Sequence, residues 1–151
     1  MGNFFGSIYS MFQNFIGIDL TNYLWGLTAA NEKNEFIFYG LWMLGISLAI
    51  AIIFYYVVNH PRLSNWWGWC ITLVINAGIN FWMGWQILLQ DFYDNKMVYI
   101  DPTTNLETPL QICESDILCF GVSHMVLSIA AFIIFSFCIK WGSTNCSHAP
   151  I

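Results

Sequence analysis

The stretch WWGWCITLVINAGINFWMGWQILLQ, residues 66–90, contains no Asp, Glu, Lys or Arg. A helix rises about 1.5 Å per residue, so about 20 apolar residues cross the ~30 Å hydrocarbon layer of a bilayer. This run exceeds that length. Tryptophans mark both of its ends, where indole rings favour the headgroup level. Two asparagines, Asn76 and Asn80, sit near its middle. We read it as a central membrane-crossing helix with the rest of the chain packed around it.

Two more runs of spanning length flank it. Residues 36–58, FIFYGLWMLGISLAIAIIFYYVV, are free of charge, and Tyr55 and Tyr56 mark one interface. Residues 117–139, ILCFGVSHMVLSIAAFIIFSFCI, hold His124 as their one ionisable group apart from Cys and lead into Lys140 and Trp141. The whole chain agrees with this reading. It is 58% hydrophobic, 19% aromatic and 9% charged, with a mean hydropathy of +0.59. Soluble domains carry about 25% charged residues. With 151 residues there is room for one domain. The expected fold class is an all-α integral membrane protein: three transmembrane helices plus an amphipathic N-terminal helix.

That N-terminal segment, residues 1–30, opens with FFGSIYSMFQNFI at residues 4–16. Phe4, Phe5, Ile8, Tyr9, Met11, Phe12, Phe15 and Ile16 recur at helical spacing and predict one apolar face. Such a face either lies in the membrane interface or packs on the other helices. Residues 1–18 lack the basic start of a cleavable signal peptide. Leu20, Tyr23, Leu24 and Leu27 suggest a second short helical piece, capped by Asp19 or Thr21. Asn31 is a candidate cap for the first span, Asn65 or Ser64 for the second, and Ser115 or Asp116 for the third.

Residues 91–116 are the one substantial polar segment. Asp91, Asp94, Asp101, Glu107, Glu114 and Asp116 face a single base, Lys96. Val98, Tyr99 and Ile100, followed by Asp101 and Pro102, read as a short strand entering a turn. The short link at 59–65 makes the first two spans antiparallel neighbours. Arg62 in that link and Lys140 after the third span fall on one side. The positive-inside tendency therefore places the Arg62 loop and the C-terminus in the cytoplasm and the 91–116 loop outside. Richness in Asn, Ile, Phe and Tyr points to an AT-rich bacterial genome, and the expected location is a bacterial inner membrane.

Thr72, Asn76, Asn80 and Gly84 repeat every four residues and form one slowly winding stripe. A buried amide in lipid is costly unless it is paired. The stripe is therefore a candidate helix interface, or the lining of a pore if several copies meet. Gly45 and Ala49 are four apart, a spacing that lets a neighbouring helix approach closely. His60 and Arg62, beside Trp66, Trp67 and Trp69, form a candidate site for a lipid head group. Cys113 and Cys119 are candidates for a disulfide if their side is outside.

Several classes are excluded or poorly served. Net charge is −5 with no basic patch, so nucleic acid is not an expected partner. No acid, Lys or Arg lies inside a span, which argues against a proton-coupled transporter. The acids at 91, 94 and 101 lack EF-hand spacing. No metal, cofactor or catalytic set is expected. The expected partners are membrane lipids and either further copies or other membrane proteins.

The leading expectation is a non-enzymatic subunit of a membrane assembly that scaffolds or anchors through helix contacts. The alternatives are a small oligomeric pore, holin-like or toxin-like, and more weakly an enzyme acting on lipid head groups near His60. On the leading reading, replacing Asn76 and Asn80 by Leu weakens association by on the order of 1 kcal/mol per lost bond.

Overall fold

The computed structural model describes residues 2–28, 33–57, 65–101, 103–104 and 106–140. Three short helices come first: α1 (Gly2–Ser10), α2 (Gln13–Ile16) and α3 (Ile18–Trp25). Helix α4 (Phe36–Ile52) runs into a π-helical turn at Ile53–Val57. Helix α5 (Trp66–Tyr93), strands β1 (Val98–Ile100) and β2 (Glu107–Pro109), and helix α6 (Glu114–Lys140) follow. Among the described residues, three helical segments are long and apolar enough to cross a membrane: Phe36–Tyr56, Trp66–Tyr93 and Glu114–Lys140.

The helix ends follow local chemistry. The Asn34 side-chain oxygen accepts from the Phe36 N–H at 3.1 Å and so caps the start of α4. Asn31 and Ser64 lie outside the described residues. Asn65 gives its backbone carbonyl to the Trp69 N–H, as the residue before a helix does. Helix α5 continues to Tyr93, past the apolar run, because charge alone does not stop a helix. Helix α6 begins at Glu114, before either expected cap. Asp116 instead reaches back, its Oδ2 accepting from the Cys113 N–H at 3.0 Å, the returning half of a capping box.

Helix α3 departs from expectation in the same way. Neither Asp19 nor Thr21 caps it. Its first flanking residue is Gly17, and Thr21 Oγ1 donates back to the Gly17 carbonyl at 2.7 Å. Gly17 has φ +97°, a conformation that glycine adopts without strain, and it separates α2 from α3. Gly26, at φ +73°, closes α3. Its N–H and that of Leu27 return to Tyr23 and Asn22, a Schellman ending.

The fold is not purely helical. Strands β1 and β2 pair antiparallel, with Val98 opposite Pro109 and Ile100 opposite Glu107. The Asp101 carboxylate takes both the N–H and the hydroxyl of Thr103, at 2.8 and 2.7 Å, and pins the turn. Those bonds hold its pKa below the usual range. Lys96 is paired with Asp91 at 2.8 Å and Asp94 at 3.0 Å, and these two carboxylates push its pKa up.

The chain divides into two compact units, to each of which every long helix contributes a segment. One comprises Met1–Leu41 and Trp82–Ser123, the other Trp42–Phe81 and His124–Ile151. In the first, aromatic rings make the core. Tyr9 stacks between Phe36 at 5.1 Å and Phe120 at 5.5 Å. Tyr39 meets Phe120 edge-on at 5.0 Å, and Trp25 meets Phe36. Phe5 fills the space beside Gly40, and Trp25 the space beside Gly6. In the second unit Ala51, Phe54, Tyr55, Trp69 and Phe132 form the core.

The N-terminal segment differs from a single amphipathic helix. Its apolar residues are shared between two faces. Phe5, Tyr9, Ile16, Leu20, Tyr23 and Leu24 are buried, whereas Phe4, Met11, Phe15 and Ile18 are exposed. The breaks between α1, α2 and α3 reset the helical phase, which a single wheel over 4–16 does not anticipate.

Candidate functional site

The second unit holds the polar groups that the apolar helices have to accommodate. Asn76, Asn80, Ser47, His124, Ser128 and Ser136 are all buried. Asn76, Asn80, Ser128 and Ser136, with Trp69, form a hydrogen-bonded seam between α5 and α6. Asn76 Nδ2 donates to the Ser128 carbonyl at 3.1 Å. That carbonyl has a second lone pair beyond its own helix bond, so the ladder of α6 stays intact. Asn80 Nδ2 donates in turn to the Asn76 carbonyl at 2.9 Å and to Asn76 Oδ1 at 3.2 Å. Ser128 Oγ returns to the Met125 carbonyl at 2.7 Å.

Further along, Trp69 Nε1 donates to Ser136 Oγ at 3.3 Å, and the Trp69 ring packs on Phe132 at 6.0 Å. The pairs Trp69 with Ser136 and Asn76 with Ser128 run in opposite directions along the chain, so α5 and α6 are antiparallel here. One more turn of the same register brings Asn80 level with His124. Among the described residues of this unit, two oxygens are fully enclosed and have no hydrogen-bond partner: Ser47 Oγ and Asn80 Oδ1.

The expected stripe is therefore split. Asn76, Asn80 and Gly84 are buried, while Thr72 is half-buried and satisfies itself through the Gly68 carbonyl at 2.8 Å. Gly45 and Ala49 face outward, on the exposed side of α4 with Leu41, Trp42, Leu48 and Ile52. A Cβ at Gly45 would meet nothing within 4 Å, and the same holds for Gly78 on α5. No helix among the described residues covers them. His60 and Arg62 lie outside the described residues, so their candidate head-group site has no geometry to report. Cys113 and Cys119 are both free thiols. Cys119 is six positions along a helix from Cys113. At about 1.5 Å per residue this separates the two by about 9 Å, beyond the reach of a disulfide.

Ser47 and Ser136 are buried hydroxyls of this unit that the sequence reading does not single out, and Trp69, read there only beside the head-group candidates, is the partner of Ser136. A lone hydroxyl in an apolar run is the signal that finds the two serines, because it needs a partner or an enclosed place. Among the described residues, no group of three His, Cys, Asp or Glu side chains stands together to hold a metal. Family models, curated proteins and solved structures were compared with this chain, and none matches.

Proposed function

We propose that this chain is a non-enzymatic subunit of a membrane assembly, anchoring or scaffolding other membrane proteins or further copies of itself. The observation that carries the reading is where the small and polar residues lie. The amides are sealed within the chain, Asn76 against the Ser128 carbonyl. The Gly45–Ala49 face is open. In lipid, helix association rests on close packing at small residues and on polar pairs. Here the polar pair is used inside, and the small residues are left for a neighbour.

The same arrangement disfavours the pore. A pore would need the Asn76 and Asn80 face turned to water, and both residues are fully enclosed. We place the protein in a bacterial inner membrane, with the Arg62 loop and C-terminus cytoplasmic and the β1–β2 hairpin outside, on the charge distribution alone.

The test is association. Gly45→Leu with Ala49→Leu should abolish co-purification of tagged and untagged copies, or of native membrane partners, from gently solubilised membranes, while circular dichroism stays that of the parent. Retained association would defeat the reading. Ion leak from liposomes carrying the purified chain would favour the pore instead.

A further inference from the structure

The first three helices present a second face that the rest of the chain leaves uncovered. Phe4 is 66% exposed, Met11 82%, Phe15 52% and Ile18 61%. They follow one another at intervals of seven, four and three residues, interleaved with Asn3, Ser7 and Asn14, which are also exposed. No Asp, Glu, Lys or Arg precedes Asp19 in the sequence. The face is thus apolar, dotted with small neutral polar groups, and without charge.

Its depth follows from the opposite face of the same helices. Phe5 packs beside Gly40, five residues beyond the charged Glu35. Tyr9 stacks on Phe120, four residues beyond the charged Asp116. At about 1.5 Å per residue these contacts lie about 8 and about 6 Å past the last charges ahead of two spans. Helices that lie in the plane of a membrane sit about 5–10 Å into the boundary between head groups and acyl chains. For α1 the two depths coincide; α3 lies level with the charges, since the Glu35 N–H donates to the Leu24 carbonyl and a Cβ at Gly17 would lie 3.4 Å from the Asp116 carboxyl carbon.

From this we infer that α1 and α2 form an in-plane collar at the hairpin end of the spans, with α3 at the level of the charges, and that Phe4, Met11 and Phe15 insert into the upper acyl chains of that leaflet. The occupant of the face is lipid. Continuity with the spans argues for it, because the collar is docked on the flanks of α4 and α6 at a depth where water is scarce. The lack of charge makes the insertion independent of anionic lipid, unlike that of a basic interfacial helix.

The experiment uses the full chain in liposomes, free of cysteine except for one bimane-labelled position at Met11→Cys, Phe15→Cys or, as a water-facing control, Thr103→Cys. Phospholipids bearing a quenching nitroxide near the head group should quench labels 11 and 15 more than those bearing it near the chain end, and more than aqueous iodide does. Label 103 should show the reverse preference for iodide. Dominant iodide quenching at 11 and 15 would overturn the inference by placing the face in water. Protection from every quencher would overturn it by showing a protein cover. The unmodified chain supplies a second measurement that does not depend on those variants. A phospholipid with a diazirine near its head group should leave adducts on Phe4, Met11 or Phe15 on irradiation, and adducts confined to α4, α5 and α6 would overturn the collar.

Discussion

Asn76 illustrates how a buried amide changes meaning once its partner is known. Its Nδ2 reaches Ser128, so the bond holds α5 to α6 within one chain. Bonds of this kind in membranes average about 0.6 kcal/mol and reach about 1.7. Asn76→Leu should therefore lower the stability of the chain by about 1 kcal/mol, read as an earlier unfolding midpoint in a dodecyl sulfate titration. Association should be unaffected, which is the opposite of what the stripe suggests when viewed without its neighbour. Ser47 gives the contrasting case. Its hydroxyl is enclosed without a bond, so Ser47→Ala removes a desolvation cost and should leave stability equal or higher. A clear loss in the same titration would contradict that.

Tyr23 sits outside the spans and titrates late. Burial, then the carboxylates of Asp91 and Glu35, push its pKa from 10.0 up to about 12, partly offset by Lys96. A raised pKa in the folded state means that the associated stability is complete below pH 10 and lost as pH climbs towards 12. Ultraviolet titration of the folded chain should show a phenolate component near pH 12 that Tyr23→Phe removes.

Among the elements, α1 has the clearest mechanical requirement. A Cβ at Gly40 would fall on the Phe5 ring. Gly40→Leu should push Phe5 out and raise amide exchange over α1 at least several-fold, with exchange in α5 unchanged. Equal protection in parent and variant would mean that α1 is held by other contacts. At the start of α6, Asp116→Ala removes the acceptor for the Cys113 N–H. Loss of a cap interaction costs about 1 kcal/mol, to be read as fraying of residues near Glu114 in the same exchange experiment.

For the molecule as a whole, the arrangement separates what is finished from what is open. The aromatic cores and the hairpin are filled by this chain's own residues, and so is the seam apart from Asn80 Oδ1. The outward side of α4 and the exposed side of α1–α2 are two of the surfaces left to the surroundings, beside apolar faces of α5 and α6. One is suited by its small residues to a helix, the other by its depth and neutrality to lipid. The two assignments fail separately: association can vanish while the collar stays in lipid, and the reverse.

Length and charge in the sequence were enough to find the three helices long and apolar enough to cross a membrane, because an uncharged run of that length is a local signal whatever its neighbours. The strand at Val98–Ile100 was legible for a similar reason, since a β-branched and aromatic run beside a turn is a local signal. The destination of each side chain was not local. Whether Asn76 met Ser128, whether Gly45 was covered, and which of Phe4 and Phe5 turned inward depended on helix phase and register. Those are properties of pairs of elements distant in the chain. A shift of one residue rotates a helix by about 100°, since a turn takes 3.6 residues, so the breaks at Met11–Phe12 and Gly17 redirected faces that a single periodic pattern had assigned together.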